Sequence, residues 1–287
     1  AARAPSDDGA PVPRSMGDAI DVDEIHVEFA PDLVTLVLDP ATGLDARIVS
    51  MRNHMAEQFG IILPEVRLTD NPRLPAETYA IRIQGAEQAR GRLAPRAVLA
   101  LLPRDGTAPP DGEDVREPVY GAPARWISPD REQAFALVGA TVVTAPEVLA
   151  THLLEVVKGN LGRLVTLRAV RRILDALGKV SDPARADANR RLIDEMVPDR
   201  VHVDLLHAVL RLLLEQQVSI RNIPFILEAI AEAHGIAPLL FTHLKAVSAP
   251  VPTEVQRALR GLTLRHRLAN RARMAVLGSM LARLGTA

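Results

Sequence analysis

The sequence predicts an α+β fold in which a mixed region is followed by an all-α region. Up to about residue 145, short stretches alternate apolar and polar residues, which is the period of half-buried strands, and one long helical stretch lies among them. From about Pro146 the apolar residues recur at helical spacing instead. The strands are unevenly spaced, which favours α+β over a regular parallel α/β sheet.

The mixed region opens with a strand at Ile25–Phe29, where apolar and polar residues alternate strictly. Leu33–Leu38 is a second apolar run and has strand composition. A helix is predicted over 44–59, because its apolar residues have helical spacing and Gly60 follows as a stop. Further strands are predicted at 66–68, 79–83 and 98–102, separated by a polar segment at 85–92 and followed by a proline-rich one at 103–112.

From Pro146 to about residue 230, the apolar residues recur at the spacing of helices. Pro146 suits the first turn of a helix whose apolar stripe covers 148–157. A second stripe runs over 164–177 and ends at Gly178, and 205–214 is a strongly apolar helix. The pattern predicts Ser219 as the N-cap of one more helix, which carries the isoleucines of 223–230.

The composition is that of a globular chain and excludes several kinds of site. A length of 287 residues favours two or more packed units. The net charge of −1 argues against a dedicated nucleic-acid binder. The absence of cysteine excludes disulfides, thiolate metal sites and thiol catalysis. No apolar run approaches the ~20 residues that cross a bilayer, and no secretory signal is recognisable.

The motifs of known active sites are absent, so we expect a protein that is not an enzyme and holds no metal or cofactor. His202 and His207 are five residues apart, which does not place them on one helical face, so capping or solvated histidines are favoured over a metal pair. An enzyme with a dispersed triad stays open. Binding of nucleic acid or anionic lipid through the arginines after Glu254 also stays open, although a solvated helix face or an acidic neighbour is favoured.

Two features are candidates for an interaction surface. Tyr120 is flanked by proline and glycine in the segment 117–121, and the only tryptophan, Trp126, follows closely. An aromatic side chain on rigid backbone is a typical binding anchor, but both rings could equally fill a small core. Thr151 lies off the apolar face of the helix that Pro146 begins, so we expect it to be exposed.

Six short segments carry a resemblance to a known family. They are FGIILPEVRLTDN at 59–71, YAIRIQG at 79–85, EPVYGAPARWI at 117–127, TVV at 141–143, ATHL at 150–153 and VSIRN at 218–222. In order and spacing they resemble the FlhA and type III secretion export-gate (FHIPEP) family over roughly residues 24–235. The third and fifth segments are more similar to the flagellar branch than to the injectisome branch.

The resemblance implies a docking platform of a protein-export machine. In this family a multi-span membrane domain precedes a linker and a cytoplasmic domain, and nine cytoplasmic domains form a ring. The chain would then be the cytoplasmic domain of an inner-membrane protein, with its membrane spans upstream. The implied partners are flagellar export chaperones with their cargo, other export-apparatus proteins and further copies of the chain, with no nucleic acid. The equivalent component of a virulence injectisome is the alternative.

The resemblance also implies how the chain is divided. An α+β first subdomain is interrupted by a small inserted one and followed by a helical one, after a linker that the composition also predicts. The family continues with a longer α/β subdomain, which the arginine-rich C-terminus does not match, so that end is expected to be divergent or truncated. The expected parts are 1–23 (flexible linker), 24–95 with 145–164 (first subdomain), 96–144 (inserted subdomain), 165–236 (helical subdomain) and 237–287 (arginine-rich C-terminus).

Finally, the resemblance implies a chaperone-binding site between the first two subdomains. The acidic residue, aromatic residue and threonine of the family's site fall on Glu117, Tyr120 and Thr151, although the family has Asp and Phe at the first two. Pro118 and Val119 lie between them. The predicted binding residues are therefore Glu117, Pro118, Val119, Tyr120 and Thr151, with no catalytic or metal-binding residue.

Overall fold

The computed structural model describes residues 21–103, 109 and 111–232 and confirms the α+β class. It contains two four-stranded sheets, with helices between and after the strands. Residues 1–20 of the linker expected at 1–23 lie outside the described residues, as do the C-terminus at 237–287 and most of 104–110.

The first sheet has the strand order β2-β1-β3-β4. Strand β1 pairs in parallel with β2 and antiparallel with β3, and β3 and β4 form an antiparallel hairpin. A parallel pair needs a long crossover, which here contains the helix predicted at 44–59. The strands are β1 (Ile25–Phe29), β2 (Val66–Asp70), β3 (Thr78–Ile83) and β4 (Ala86–Arg92).

The second sheet is antiparallel throughout and has the order β6-β7-β5-β8. Its central strands β5 and β7 pair from Val98 opposite Ile127 to Leu101 opposite Ala124. The strands are β5 (Val98–Leu101), β6 (Glu113–Arg116), β7 (Pro123–Ile127) and β8 (Thr141–Thr144).

Helices occur in both regions and make up the regular structure between Thr144 and residue 232. Among the described residues, no helix is long and apolar enough to span a membrane. The helices are α1 (Val34–Val37), α2 (Leu44–Phe59), α3 (Glu132–Leu137), α4 (Ala145–Gly159), α5 (Leu161–Leu164), α6 (Leu167–Leu177), α7 (Pro183–Met196), α8 (Val203–Glu215) and α9 (223–232).

Two predictions of strand and loop are wrong. The run Leu33–Leu38 is not a strand but a 3-10 turn followed by α1, because its buried residues, Leu33 and Val37, are four apart as on one helical face. The polar segment after Gly85 is not a break but strand β4. Both Gln84 and Gly85 have positive φ (50° and 75°), which makes a two-residue hairpin turn, and β4 is an edge strand that stays largely exposed.

The helices predicted at 148–157, 164–177, 205–214 and 219–230 are present, but two of them begin at a different residue from the predicted one. The stripe over 164–177 is divided, because the Thr166 hydroxyl accepts a hydrogen bond from the Ala169 N–H (3.2 Å) and begins α6 there. Ser219 is not the cap of α9. Asn222 takes that place, since its side-chain oxygen accepts a hydrogen bond from the Phe225 N–H (3.3 Å).

Helix α4 lies at the junction of the two sheets. It follows directly from β8 of the second sheet, packs against α2, and contacts β3 of the first sheet and β5 of the second. Its predicted apolar stripe is buried, including Val148, Leu149, Leu153 and Val157. Helix α4 therefore connects the two sheets.

A reciprocal cap fixes the beginning of α4. The Glu147 carboxylate accepts a hydrogen bond from the Thr144 N–H (2.8 Å), and the Thr144 side chain bonds to the backbone at Glu147 in return. These bonds lower the pKa of Glu147. The same carboxylate pairs with Arg47 of α2 (3.1 Å), so the cap also ties α4 to its neighbouring helix.

Replacing Thr144 with alanine should lower the free energy of unfolding by about 1 kcal/mol, because the first turn of α4 loses its side-chain acceptor. Chemical denaturation measures this change. The matched control is Thr141→Ala at the exposed other end of the same strand, which should change it by less than about 0.5 kcal/mol. Equal losses in both variants would contradict the role of the cap.

Candidate functional site

A tight loop between β6 and β7 is organised around the side chain of Glu117. Its carboxylate is 7% exposed and accepts hydrogen bonds from the N–H groups of Val119 (2.7 Å), Tyr120 (2.6 Å) and Ala122 (3.1 Å). The Glu117 main chain closes the loop, since its N–H bonds to the Ala122 carbonyl (3.0 Å). One buried carboxylate therefore holds the backbone on either side of Gly121.

The loop presents an aromatic ring to solvent. The Tyr120 side chain is 75% exposed, whereas Pro118 and Val119 before it are half-buried. Gly121 has φ = 69°, a left-handed conformation that glycine adopts without strain, and Arg116 donates a hydrogen bond to its carbonyl (2.9 Å). The chain thus turns sharply after the ring while the ring points outward.

The two aromatic residues of this region have different roles. Trp126 lies on β7 and is 5% exposed, so it belongs to the core. Tyr120 lies outside the core. The structure therefore supports the core interpretation for Trp126 and the surface interpretation for Tyr120.

Thr151 and its neighbour His152 lie on different faces of α4. Thr151 is exposed, as the helical pattern predicts, and His152 is buried. The His152 Nδ1 atom is 2.7 Å from the hydroxyl of Tyr79 on β3, and the two rings meet edge to face at 5.8 Å. This hydrogen bond joins α4 to the first sheet directly behind the exposed threonine.

Burial decides the protonation of this pair. Desolvation, supported by the charge of Glu117, raises the pKa of Tyr79 above its ordinary value of 10.0. Desolvation lowers the pKa of His152 below 6.5, and the Glu117 charge opposes that shift only in part. Near neutral pH the hydroxyl therefore donates to a neutral imidazole. The Glu117 carboxylate is near enough for its charge to affect both groups.

Strand β4 covers Tyr79 from the other side. Gly91 is the register partner of Tyr79, and a Cβ atom there would overlap the tyrosine hydroxyl. Beside it is a pocket of about 220 Å³ between the edge of the first sheet and the second. Its lining residues are Arg90, Gly91, Arg92, Leu99, Val115, Arg116, Glu117, Pro118 and Trp126.

Residues 1–260 match the model of the FHIPEP family. The chain belongs to the FHIPEP family. This confirms the resemblance to the FHIPEP family that the six sequence segments carry. The flagellar biosynthesis protein FlhA of Caulobacter vibrioides is 34% identical over 233 residues, which are 81% of this chain and 32% of that protein. FlhA of Borreliella burgdorferi is 32% identical over 231 residues, and the chain spans about a third of the length of either relative.

Solved structures of other proteins share the fold of the chain. The complex of CdsV and CdsO from Chlamydia pneumoniae contains a chain that matches 75% of this one with a TM-score of 0.59 at 22% identity, over 65% of its own length. Nonameric EPEC SctV-C matches 75% of this chain and 60% of its own with a TM-score of 0.52 at 14% identity. These identities establish a shared fold.

In this FHIPEP chain the predicted site residues fall into two groups. Glu117, Pro118, Val119 and Tyr120 share the loop between β6 and β7, and the first two line the 220 Å³ pocket. Thr151 lies on α4 and does not line that pocket. Glu117 of the loop also affects the helix, because its charge partly opposes the lowering by burial of the pKa of His152, the residue next to Thr151.

Two residues of the site, Tyr79 and Gly91, were not singled out from the sequence, and His152 was noted only beside Thr151. His152 falls four residues after the buried Val148 and beside Leu153, so a histidine within an apolar stripe was the available signal. Tyr79 lies in the strand that was predicted at 79–83, and it is buried. No pattern along the chain indicates that these two side chains meet, because 73 residues separate them.

The scattered histidines of α8 have structural roles. His202 is the N-cap of that helix, where its Nδ1 lies 3.4 Å from the Asp204 N–H, which confirms the capping interpretation. His207 bonds through Nε2 to the carbonyl of Val165 (2.7 Å). Within residues 21–103, 109 and 111–232, no group of three or more His, Asp or Glu side chains could hold a metal ion.

The free energy of unfolding should fall as the pH drops below about 6.5, because the unfolded chain binds a proton at His152 that the folded chain does not. His26, which is half-buried, acts in the same direction. The variant His152→Asn keeps an acceptor for the Tyr79 hydroxyl and removes one titrating group. Its loss of stability between about pH 8 and about pH 5 should be smaller than that of the wild type.

Denaturation at a series of pH values measures this difference. Replacement of His54, which is exposed on α2, by asparagine is the control and should leave the pH dependence unchanged. An identical pH profile for the wild type and the His152 variant would rule out the buried neutral imidazole.

Proposed function

We propose that this chain is the docking platform of a flagellar type III export gate. It binds export chaperones that carry their cargo, and it performs no catalysis itself. Membership of the FHIPEP family supports the export role, and the exposed ring of Tyr120 on a rigid loop supports docking. That ring is the single observation on which the proposal depends, because an exposed aromatic side chain on a fixed backbone is a typical anchor of an interface.

The site has the anatomy of a small hot spot. Tyr120, Val119 and Pro118 supply an apolar centre, and the exposed hydroxyl of Thr151 supplies a polar edge. The backbone is already fixed in the free chain by the bonds to Glu117, so little conformational entropy is lost when a partner binds. A partner that inserts an apolar side chain against the tyrosine fits this surface.

The flagellar branch is favoured over the injectisome. FlhA proteins from Caulobacter vibrioides and Borreliella burgdorferi are 34% and 32% identical to the chain, whereas CdsV and SctV-C are 22% and 14% identical. An injectisome role remains the second candidate, since the fold is common to both machines.

Assembly and location are part of the same proposal. The chain is a cytoplasmic domain of an inner-membrane protein, and the membrane spans of that protein lie upstream of this domain. Copies form a homo-oligomeric ring, which the nonameric state of EPEC SctV-C supports, and export-apparatus proteins bind to it, as CdsO does in the CdsV complex. The proposed subdomains are 24–95 with 145–164, 96–144 and 165–236.

Replacing Tyr120 with alanine should weaken binding of a flagellar export chaperone–cargo complex by about 2 kcal/mol, roughly thirtyfold in Kd, because the anchor ring is lost. Isothermal titration with the purified chain measures this. The matched control is Leu137→Ala, which removes another exposed apolar side chain (89% exposed) at the end of α3 and should leave the affinity unchanged.

Equal affinity of the wild type and the Tyr120 variant would refute this docking site while leaving the family assignment intact. Equal weakening by both variants would mean that binding depends on general surface hydrophobicity. Thermal unfolding of each variant verifies that neither change acts through stability.

A further inference from the structure

The acidic residue of the candidate site is enclosed within its own loop. Glu117 is 7% exposed, and its two oxygens accept three main-chain hydrogen bonds of 2.6–3.1 Å. A carboxylate accepts about four such bonds in total, so most of its capacity is already used. The residue expected to meet a partner is therefore turned away from it.

Nearby cations do not pair with this carboxylate. Arg116, the preceding residue, donates to the carbonyl of Gly121, while Arg92 pairs with Glu77 and Glu113, and Arg90 with Glu87. The Glu117 charge is thus balanced by main-chain N–H dipoles, which stabilise a buried carboxylate effectively. A partner's lysine or arginine would have to displace these bonds to reach it.

The same charge is felt by the buried pair behind the loop. Glu117 acts on both Tyr79 and His152, and His152 lies beside Thr151 on α4. Glu117 and Gly91 line one pocket, and Gly91 is the register partner of Tyr79, which bonds to His152 on α4. The position of Glu117 suits a residue that orients both parts of the surface.

We propose that Glu117 is a positioning residue, which fixes the Tyr120 loop and does not contact the partner. The partner is then recognised through apolar contact with Pro118, Val119 and Tyr120 and through the Thr151 hydroxyl, and it needs no cation opposite Glu117. The part of this inference that concerns the partner rests on the proposed docking function. The part that concerns the loop holds for the free chain.

The first experiment uses the free chain. In the wild type, the amides of Val119, Tyr120 and Ala122 should exchange at least about tenfold more slowly than unprotected amides, because each is bonded to a buried carboxylate. In Glu117→Gln, where one oxygen becomes an NH2 donor, these amides should exchange about tenfold faster than in the wild type. Site-resolved hydrogen exchange measures both rates. Glu113→Gln removes the same charge four residues away and should leave the three rates unchanged.

The second experiment uses a flagellar export chaperone–cargo complex as the probe. Glu117→Gln should weaken binding about tenfold in the wild-type background and less than about twofold in the Tyr120→Ala background, because it acts through the tyrosine. A direct contact would give the same factor in both backgrounds. The affinity of the wild type should change less than about twofold between about 0.1 M and about 0.5 M salt.

Each outcome decides one part of the inference. Unprotected loop amides in the wild type overturn the positioning role, and this result is obtained even if Glu117→Gln fails to fold. Additive losses in the double variant, or a strong salt dependence of wild-type binding, overturn the apolar mode of recognition. If the probe does not bind the wild type at all, the docking function fails, and the exchange rates alone decide the role of Glu117.

Discussion

The hydrogen bond between Tyr79 and His152 is the constraint on which the candidate surface depends. It is buried and joins β3 of the first sheet to α4, the helix that follows directly from the second sheet. If the helix shifted, the Tyr79 hydroxyl and the His152 imidazole would both be buried without a hydrogen bond. The free-energy cost of that loss opposes any displacement of α4. Gly91 makes the contact possible, because any larger residue there would occupy the space of the hydroxyl.

The surface combines a rigid backbone with an exposed side chain, and the two properties have one origin. The carboxylate of Glu117 satisfies the N–H groups that a tight turn would otherwise leave without partners. The turn can therefore project Tyr120 into solvent while Trp126, six residues later, fills the core. A preorganised loop of this kind suits the proposed docking, because little conformational entropy is lost when a partner binds.

Local patterns predicted most of the fold because they report burial correctly. The alternation at 25–29 and the five buried residues of α2 are those that the periodicity indicated. The failures have physical causes: an edge strand such as β4 need not bury either face, and an apolar run as short as 33–38 fits a helical turn equally well. Within the site, the exposure of Tyr120 and Thr151 agrees with expectation. The burial of Glu117 and the contact of Tyr79 with His152 depend on tertiary packing, which no spacing along the chain encodes.

The most direct test of the proposed docking surface is site-specific photo-cross-linking with benzoylphenylalanine in place of Tyr120, because it reports contact without relying on a change in affinity. We predict a cross-link from position 120 to an export chaperone or its cargo, and none from position 137 at the equally exposed end of α3. Cross-links from position 137 but not from position 120 would contradict the proposed surface.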